Sequence, residues 1–257
     1  MTAALADSAT MVRRNVRHTL RYPGTMIMSL GVPTLLLLLF VGVFGGALNA
    51  GMATHGGPYI NYVVPGILLM TVGYGSSTTA LAVNTDMTEG IITRFRTMAI
   101  SRASVLTGHV VGAVARTLVS MALLVGIALP LGFRPAAGPV AWLAIVGVVV
   151  LLVLALTWLA VAIGLLARTA QGTGAFVLVV QTLPFVSSAF VPPDSMSSGV
   201  RWFARNEPFT PVIDTLRGLL LGTPVGDSGL LAVVWCVALA LAGYLWSRAL
   251  FRRSPVR

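Results

Sequence analysis

Along this chain, long uncharged apolar runs alternate with short segments that hold nearly all of the charge. The runs predict six membrane-spanning helices at about 26–48, 59–83, 105–133, 139–167, 171–191 and 228–248. Each is long enough for a ~30 Å hydrocarbon core, which takes roughly 20 residues of helix. The pattern therefore describes an all-α membrane protein. A cytoplasmic amphipathic segment (1–25) precedes one transmembrane domain (26–250), and a cytoplasmic tail (251–257) follows it.

Three segments outside the runs have periodicities of their own. In 8–21, Val12, Val16 and Leu20 recur at i, i+4, i+8, with Arg13, Arg14, Arg17 and Arg21 on the other faces. That predicts a basic helix lying in the membrane interface, its arginines against anionic headgroups. Pro23 and Gly24 then break it. It serves as a topology anchor, or it also touches a cytoplasmic partner. In the connector 84–104, Ile91, Phe95 and Met98 form a short apolar stripe. Asp86 and Glu89 stand near its start and Arg94 and Arg96 further along, the order a helix dipole favours. The stripe needs a cover, either the membrane surface or another protein.

The third segment, 191–224, predicts two short helices. Met196, Val200 and Phe203 share one face of the first. The second is capped by Thr210, has Pro211 at its first position, and stops at Gly222 before Pro224. Val212, Leu216 and Leu219 line one side of it, and Asp214 and Arg217 pair at i, i+3. Such helices are too short to span. They rest as a hairpin in the outer interface, or dip back into the membrane where protein covers their ends.

Composition agrees with the membrane reading. Hydrophobic residues make up 56% of the chain, charged residues only 9%, and mean hydropathy is +0.91. A soluble domain carries about 25% charged residues. The net charge of +10 marks cytoplasmic loops rather than a nucleic-acid surface. Arg13, Arg14, Arg17, Arg21, Arg94, Arg96, Arg102, Arg168, Arg248, Arg252, Arg253 and Arg257 all fall on one side of a six-span topology. Only Arg134, Arg201, Arg205 and Arg217 fall on the other, so both termini are expected in the cytoplasm.

The basic residues include no lysine, and a P-loop needs the Lys of GxxxxGK[ST] to reach nucleotide phosphates. Any ATP must be handled by another chain. No acidic residue lies centrally in a predicted span, which counts against ion-coupled transport. His18, His55 and His109 have no carboxylates at metal-ligand spacing, and Cys236 is alone. Gly73-Tyr74-Gly75-Ser76 is not a nucleophile elbow and reads as close helix packing. No enzyme is expected. Arg116 is the one basic residue within a span. It snorkels to the inner interface, or makes a polar contact in the bundle or along a substrate path. Gln181, Thr182 and Pro184, near Phe185 and Phe190, form ordinary packing or a wall for an amphiphilic aromatic substrate.

Several strings in order carry a family resemblance: Asn84-Thr85-Asp86, Glu89-Gly90-Ile91, Arg94-Phe95-Arg96-Thr97-Met98, Asn206-Glu207-Pro208-Phe209-Thr210 and Leu216-Arg217-Gly218. With these the whole chain resembles the ABC-2 type exporter permeases, within them the daunorubicin/doxorubicin-resistance group. Ala99-Ile100-Ser101 stands where the family has a proline before the third span. The resemblance implies a bacterial plasma-membrane permease, paired with a second copy or a paralogue and with two copies of an ABC ATPase. The ATPase would bind ATP and Mg, and this chain no cofactor, metal or nucleic acid. It implies a hydrophobic or amphiphilic cargo such as a drug, antibiotic or lipid. It assigns ATPase coupling to Asp86, Glu89, Gly90, Ile91, Phe95, Arg96 and Met98, and the outer hairpin to Pro192, Asn206, Pro208, Arg217 and Gly218. Two other classes stay open. One is a nucleotide-independent channel or secondary transporter; the other is a membrane scaffold that docks a partner on the 91–98 stripe.

Overall fold

A computed structural model describes residues 23–51, 57–88, 102–167 and 169–253. The expected interfacial helix with Arg13, Arg14, Arg17 and Arg21 lies outside the described residues. So does the loop with Glu89, Gly90, Ile91, Phe95, Arg96 and Met98.

The described residues are built from helices. They are α1 (Pro23–Leu38), continued by a π-helical turn (Leu39–Val43), α2 (Gly45–Gly51), α3 (Tyr59–Thr88), α4 (Arg102–Ala128) and α5 (Pro139–Leu166). After these come α6 (Gly174–Thr182), α7 (Ser198–Asn206), α8 (Phe209–Leu221) and α9 (Ser228–Arg253). Local chemistry sets several of the boundaries. Pro139 occupies the first turn of α5, where its missing N–H has no partner to lose. Gly222 ends α8 in the left-handed region at φ 69°, and Thr223 N–H closes the cap on the Gly218 carbonyl at 2.9 Å.

Four of these helices are long and apolar enough to cross a bilayer: Tyr59–Thr85, Val110–Ala128, Pro139–Leu166 and Ser228–Leu250. The expected first and fifth spans contribute shorter apolar helices, Leu30–Val43 and Gln171–Val186. The fifth is not one continuous helix. A 3₁₀ turn (Ala170–Thr173) leads into α6, and a second one (Leu183–Val186) follows it. Pro184 lacks the N–H needed to extend the helix. Beyond it, Ser187, Ser188, Ala189 and Phe190 run irregularly and fully buried. The second span, by contrast, overshoots. Asn84, Thr85 and Asp86, expected in the connector, continue α3.

α3 is the central helix, packed on α1, α4, α5, α6 and α8. Of its apolar window 78% is buried, against 17% for α9, which leans mainly on α5 and α8. Val140, Leu143, Leu230, Leu241 and Leu245 point outward, as side chains facing lipid would. Glycines let three of the contacts close to backbone distance. A Cβ on Gly66 would stand 2.6 Å from Ala189 Cβ, one on Gly164 2.7 Å from the Ala80 carbonyl, and one on Gly243 2.7 Å from the Leu159 nitrogen.

Candidate functional site

Most of the polar chemistry of the bundle sits at its hairpin end, around α8. This helix is buried on nearly every side: Phe209, Val212, Ile213, Leu216 and Leu220 are all in the core, against α3, α5 and α9. The second helix of the expected hairpin is thus buried in the bundle. α7 stays on the surface and buries Ala204. Its expected apolar face is turned outward, with Val200 and Phe203 exposed.

The start of α8 is capped by Glu207 and not by Thr210. The carboxylate accepts the N–H groups of Phe209 (2.7 Å) and Thr210. The Thr210 hydroxyl is turned away and accepts the Ser188 N–H at 3.0 Å. The turn between α7 and α8 is so short that Glu207 folds back onto the free donors itself. Burial pushes the Glu207 carboxyl up, and the Phe209 and Thr210 donors oppose that. Glu207→Ala leaves two buried N–H groups unpaired and is expected to cost about 1 kcal/mol, the usual worth of a cap. Thermal melting in detergent measures it.

One turn before the end of α8, Arg217 joins three elements. Its Nη1 donates to Asp214 Oδ1 at 2.6 Å, the expected i, i+3 pair. Its Nη2 donates to the Ser188 carbonyl at 2.7 Å and, more loosely, to the Tyr62 carbonyl at 3.3 Å. The guanidinium lies over the Tyr62 ring, 3.8 Å from its centre. Ser188 returns a hydrogen bond from its hydroxyl to Asp214 Oδ1 at 2.8 Å. Arg217 therefore fastens the buried hairpin helix to α3 and to the irregular end of the broken fifth segment. Among the other expected hairpin residues, Pro208 leads into α8, and Gly218 packs against Val225, where a Cβ would come within 3.0 Å. Asn206 caps its own helix through Trp202 O at 2.7 Å. Pro192 opens the 3₁₀ turn Pro193–Ser195 and accepts the Ser195 N–H.

Beside this cluster runs an aromatic ladder. Phe185 stacks on Phe190 at 4.9 Å between ring centres, and Phe190 stacks on Phe40 at 4.5 Å. Phe185 is exposed and Phe190 buried, so the ladder leads from the surface into the bundle. Gln181 is half-buried on α6. The Tyr59 hydroxyl donates to the Phe190 carbonyl at 3.1 Å, which fixes the inner rung to α3. Phe185 and Phe190 were singled out by sequence; Phe40, presented by the π-helical turn, was not.

The opposite end has a different joint. Asn84 Nδ2 donates to the carbonyls of Ala167 (2.7 Å) and Gly164 (3.3 Å). It pairs carbonyls that the end of α5 leaves free and locks α3 to α5 just before the connector. Asp86 falls in the last turn of α3.

Arg116 stands near the middle of α4, twelve residues before Ala128. Its side chain is directed at α3, where Nη2 donates to Thr79 Oγ1 at 3.2 Å, rather than along its own helix.

The comparisons with known proteins agree with one another. A family model described as "ABC-2 type transporter" matches residues 8–221. The chain is similar to a daunorubicin resistance ABC transporter permease protein of Streptomyces coeruleorubidus. They are 30% identical over 245 residues, covering 93% of this chain and 83% of the relative. It is also similar to a Mycobacterium tuberculosis protein named "Probable doxorubicin resistance ABC transporter permease protein". Identity there is 25% over 217 residues, covering 84% of this chain and 78% of the relative.

Proposed function

The chain belongs to the ABC-2 type transporter family, and from that premise we propose that it is the membrane permease of an ATP-driven exporter. Two such permeases, copies or paralogues, work with two copies of a separate ATPase in a bacterial plasma membrane. Both termini lie in the cytoplasm. The observation that carries this reading is the family match across an apolar helical bundle that contains no lysine for a P-loop. The ATPase binds ATP and Mg, and this chain transmits the resulting motion.

The geometry supports a route for that motion. α3 runs unbroken from the hairpin end, where Gly66 touches Ala189, to the start of the connector. Asn84 ties its far end to α5, so a push on the connector moves two helices together. In this reading Asp86, Glu89, Gly90, Ile91, Phe95, Arg96 and Met98 form the coupling helix, with Ile91, Phe95 and Met98 facing the ATPase. The cargo is hydrophobic or amphiphilic (drug, antibiotic or lipid), and the Phe185–Phe190–Phe40 ladder offers it aromatic faces. The described acidic side chains Asp194, Glu207, Asp214 and Asp227 all sit at the hairpin end, outside the four long spans, which disfavours an ion-coupled carrier.

The test is co-purification with the ATPase, followed by hydrolysis measurements. Glu89→Ala or Phe95→Ala is expected to weaken association, or permease-stimulated ATPase activity, on the order of tenfold, the effect of losing a central interface contact. If both variants associate and stimulate like the wild type, the coupling assignment is wrong.

A further inference from the structure

Five hydroxyl groups on α3 satisfy themselves on their own helix, whereas Thr34 on α1, Ser120 on α4 and Thr157 on α5 have buried hydroxyls without a partner among the described residues. Thr71, Ser77 and Thr79 each donate to the carbonyl four residues back, at 3.0, 2.9 and 3.0 Å. Ser76 and Thr78 donate to the carbonyls of Gly73 and Gly75. On α4 the pattern fails at one place. The Ser120 hydroxyl is buried and has no partner, and one turn away the buried Nε of Arg116 has none either. Residues at i and i+4 share a helix face, so the two unused donors belong to neighbouring side chains on one side of α4.

Arg116 is a fixed positive charge with five donors in a planar fork. Among the described residues its side chain donates to a single neutral hydroxyl, that of Thr79, whose own proton already goes to the Gly75 carbonyl. No carboxylate pairs with it among the described residues. It sits ~21 Å along α4 from Arg102 at 1.5 Å per residue. An intramembrane cation held this loosely is costly, because burial of a charge is offset only by pairing and full hydrogen bonding. The neighbouring wall of α3 supplies the guanidinium one acceptor, Thr79, and no free proton for an anion, since Ser76, Ser77, Thr78 and Thr79 all donate locally. Among the described residues, what the site lacks is an anion.

We propose that Arg116 and Ser120 form a binding site, midway through the bundle, for the anionic head of an amphiphile. A phosphate or carboxylate would accept from Arg116 Nε and Nη and from the Ser120 hydroxyl, with Thr79 steadying the guanidinium from behind. The purpose of the site rests on the permease reading: it gives the exporter a cargo class, amphiphiles carrying negative charge. The same chemistry serves a free amphiphile or a bilayer phospholipid.

The full-length protein in zwitterionic nanodiscs tests this with two fluorescent probes of equal chain length, an alkyl phosphate and an alkyl trimethylammonium. The wild type is expected to bind the phosphate at least tenfold more tightly. Arg116→Gln should lose on the order of tenfold in phosphate affinity, the worth of one charge-assisted hydrogen bond, and leave the ammonium probe unchanged. Arg116→Lys should recover part of the loss. Ser120→Ala should weaken the phosphate alone by a few-fold. Adding phosphatidylglycerol to the discs identifies the source: competition marks a lipid headgroup, and no competition marks a free amphiphile. Unchanged phosphate affinity in Arg116→Gln overturns the site, as does an equal loss for both probes with no rescue by lysine. ATPase association, measured on the same variants, separates that failure from failure of the exporter reading, because Arg116 is remote from the connector.

Discussion

Gly66→Leu is expected to be among the most damaging single substitutions outside the connector, while Gly147→Leu leaves the protein unharmed. Both glycines lie within long apolar helices and look alike in sequence. They differ in what a side chain would meet. A Cβ on Gly66 falls 2.6 Å from Ala189 Cβ, 2.8 Å from its Cα and 2.9 Å from its carbonyl oxygen. Two of these are backbone atoms of a buried, irregular segment and cannot turn aside. Overpacking of a core costs about 1–3 kcal/mol, and the upper end applies where the obstacle is main chain. Around Gly147 nothing lies within 4 Å, and the residue faces outward on α5. There a leucine gains ~0.8 kcal/mol of helix propensity and adds apolar surface toward lipid. Thermal melting of the purified chain in detergent tests the contrast. Even Gly66→Ala should lower the midpoint, since the first carbon already collides. Equal melting of the alanine variants at 66 and 147 would remove the close approach of α3 to the broken segment as a determinant of the fold.

How far the sequence announced such features depended on whether the signal was local. The apolar runs gave four long spans within a few residues, because length and hydropathy alone decide those. Gly222 and the Asp214–Arg217 spacing were legible for the same reason: a left-handed cap and an i, i+3 pair are settled within one turn. The helix start at Thr210 was misread because capping there is a competition. Glu207 and Thr210 can both reach free N–H groups, and the partner that turns Thr210 away, the Ser188 N–H, lies 22 residues earlier. By sequence the apolar run stops at Val83 and leaves Asn84 in the connector. It is helical because it meets the α5 carbonyls of Gly164 and Ala167, 80 and 83 residues later. The placement of Arg116 depended likewise on Thr79, a residue with no distinguishing mark in a run of serines and threonines. Pro184 gave warning of a kink, but only the surrounding helices decide that the chain beyond it stays irregular and buried.

Arg217→Leu is expected to loosen the hairpin helix from the bundle. The substitution removes the ion pair to Asp214, the hydrogen bonds to the Ser188 and Tyr62 carbonyls and the contact with the Tyr62 ring in one step. Removing one member of a buried ion pair costs roughly 3–5 kcal/mol. The Arg217 side chain is 16% exposed but that of Asp214 is 36% exposed, so water takes up part of the loss. About 2 kcal/mol is the reasonable expectation. Arg217→Lys should fall between, because an ammonium is a point charge and cannot hold Asp214, Ser188 and Tyr62 with a planar fork. The helix would then be held by apolar burial alone, which fixes its depth less firmly than its direction. A double-mutant cycle with Asp214→Leu separates the pair from the rest. If the carboxylate and guanidinium act together, the double variant melts well above the sum of the two single losses, whereas simple additivity would show that Arg217 holds the helix through the two carbonyls and the Tyr62 ring. Limited proteolysis in the connection between α7 and α8 supplies the structural readout: faster cleavage in Arg217→Leu than in Arg217→Lys is the ordering that a fastening role requires.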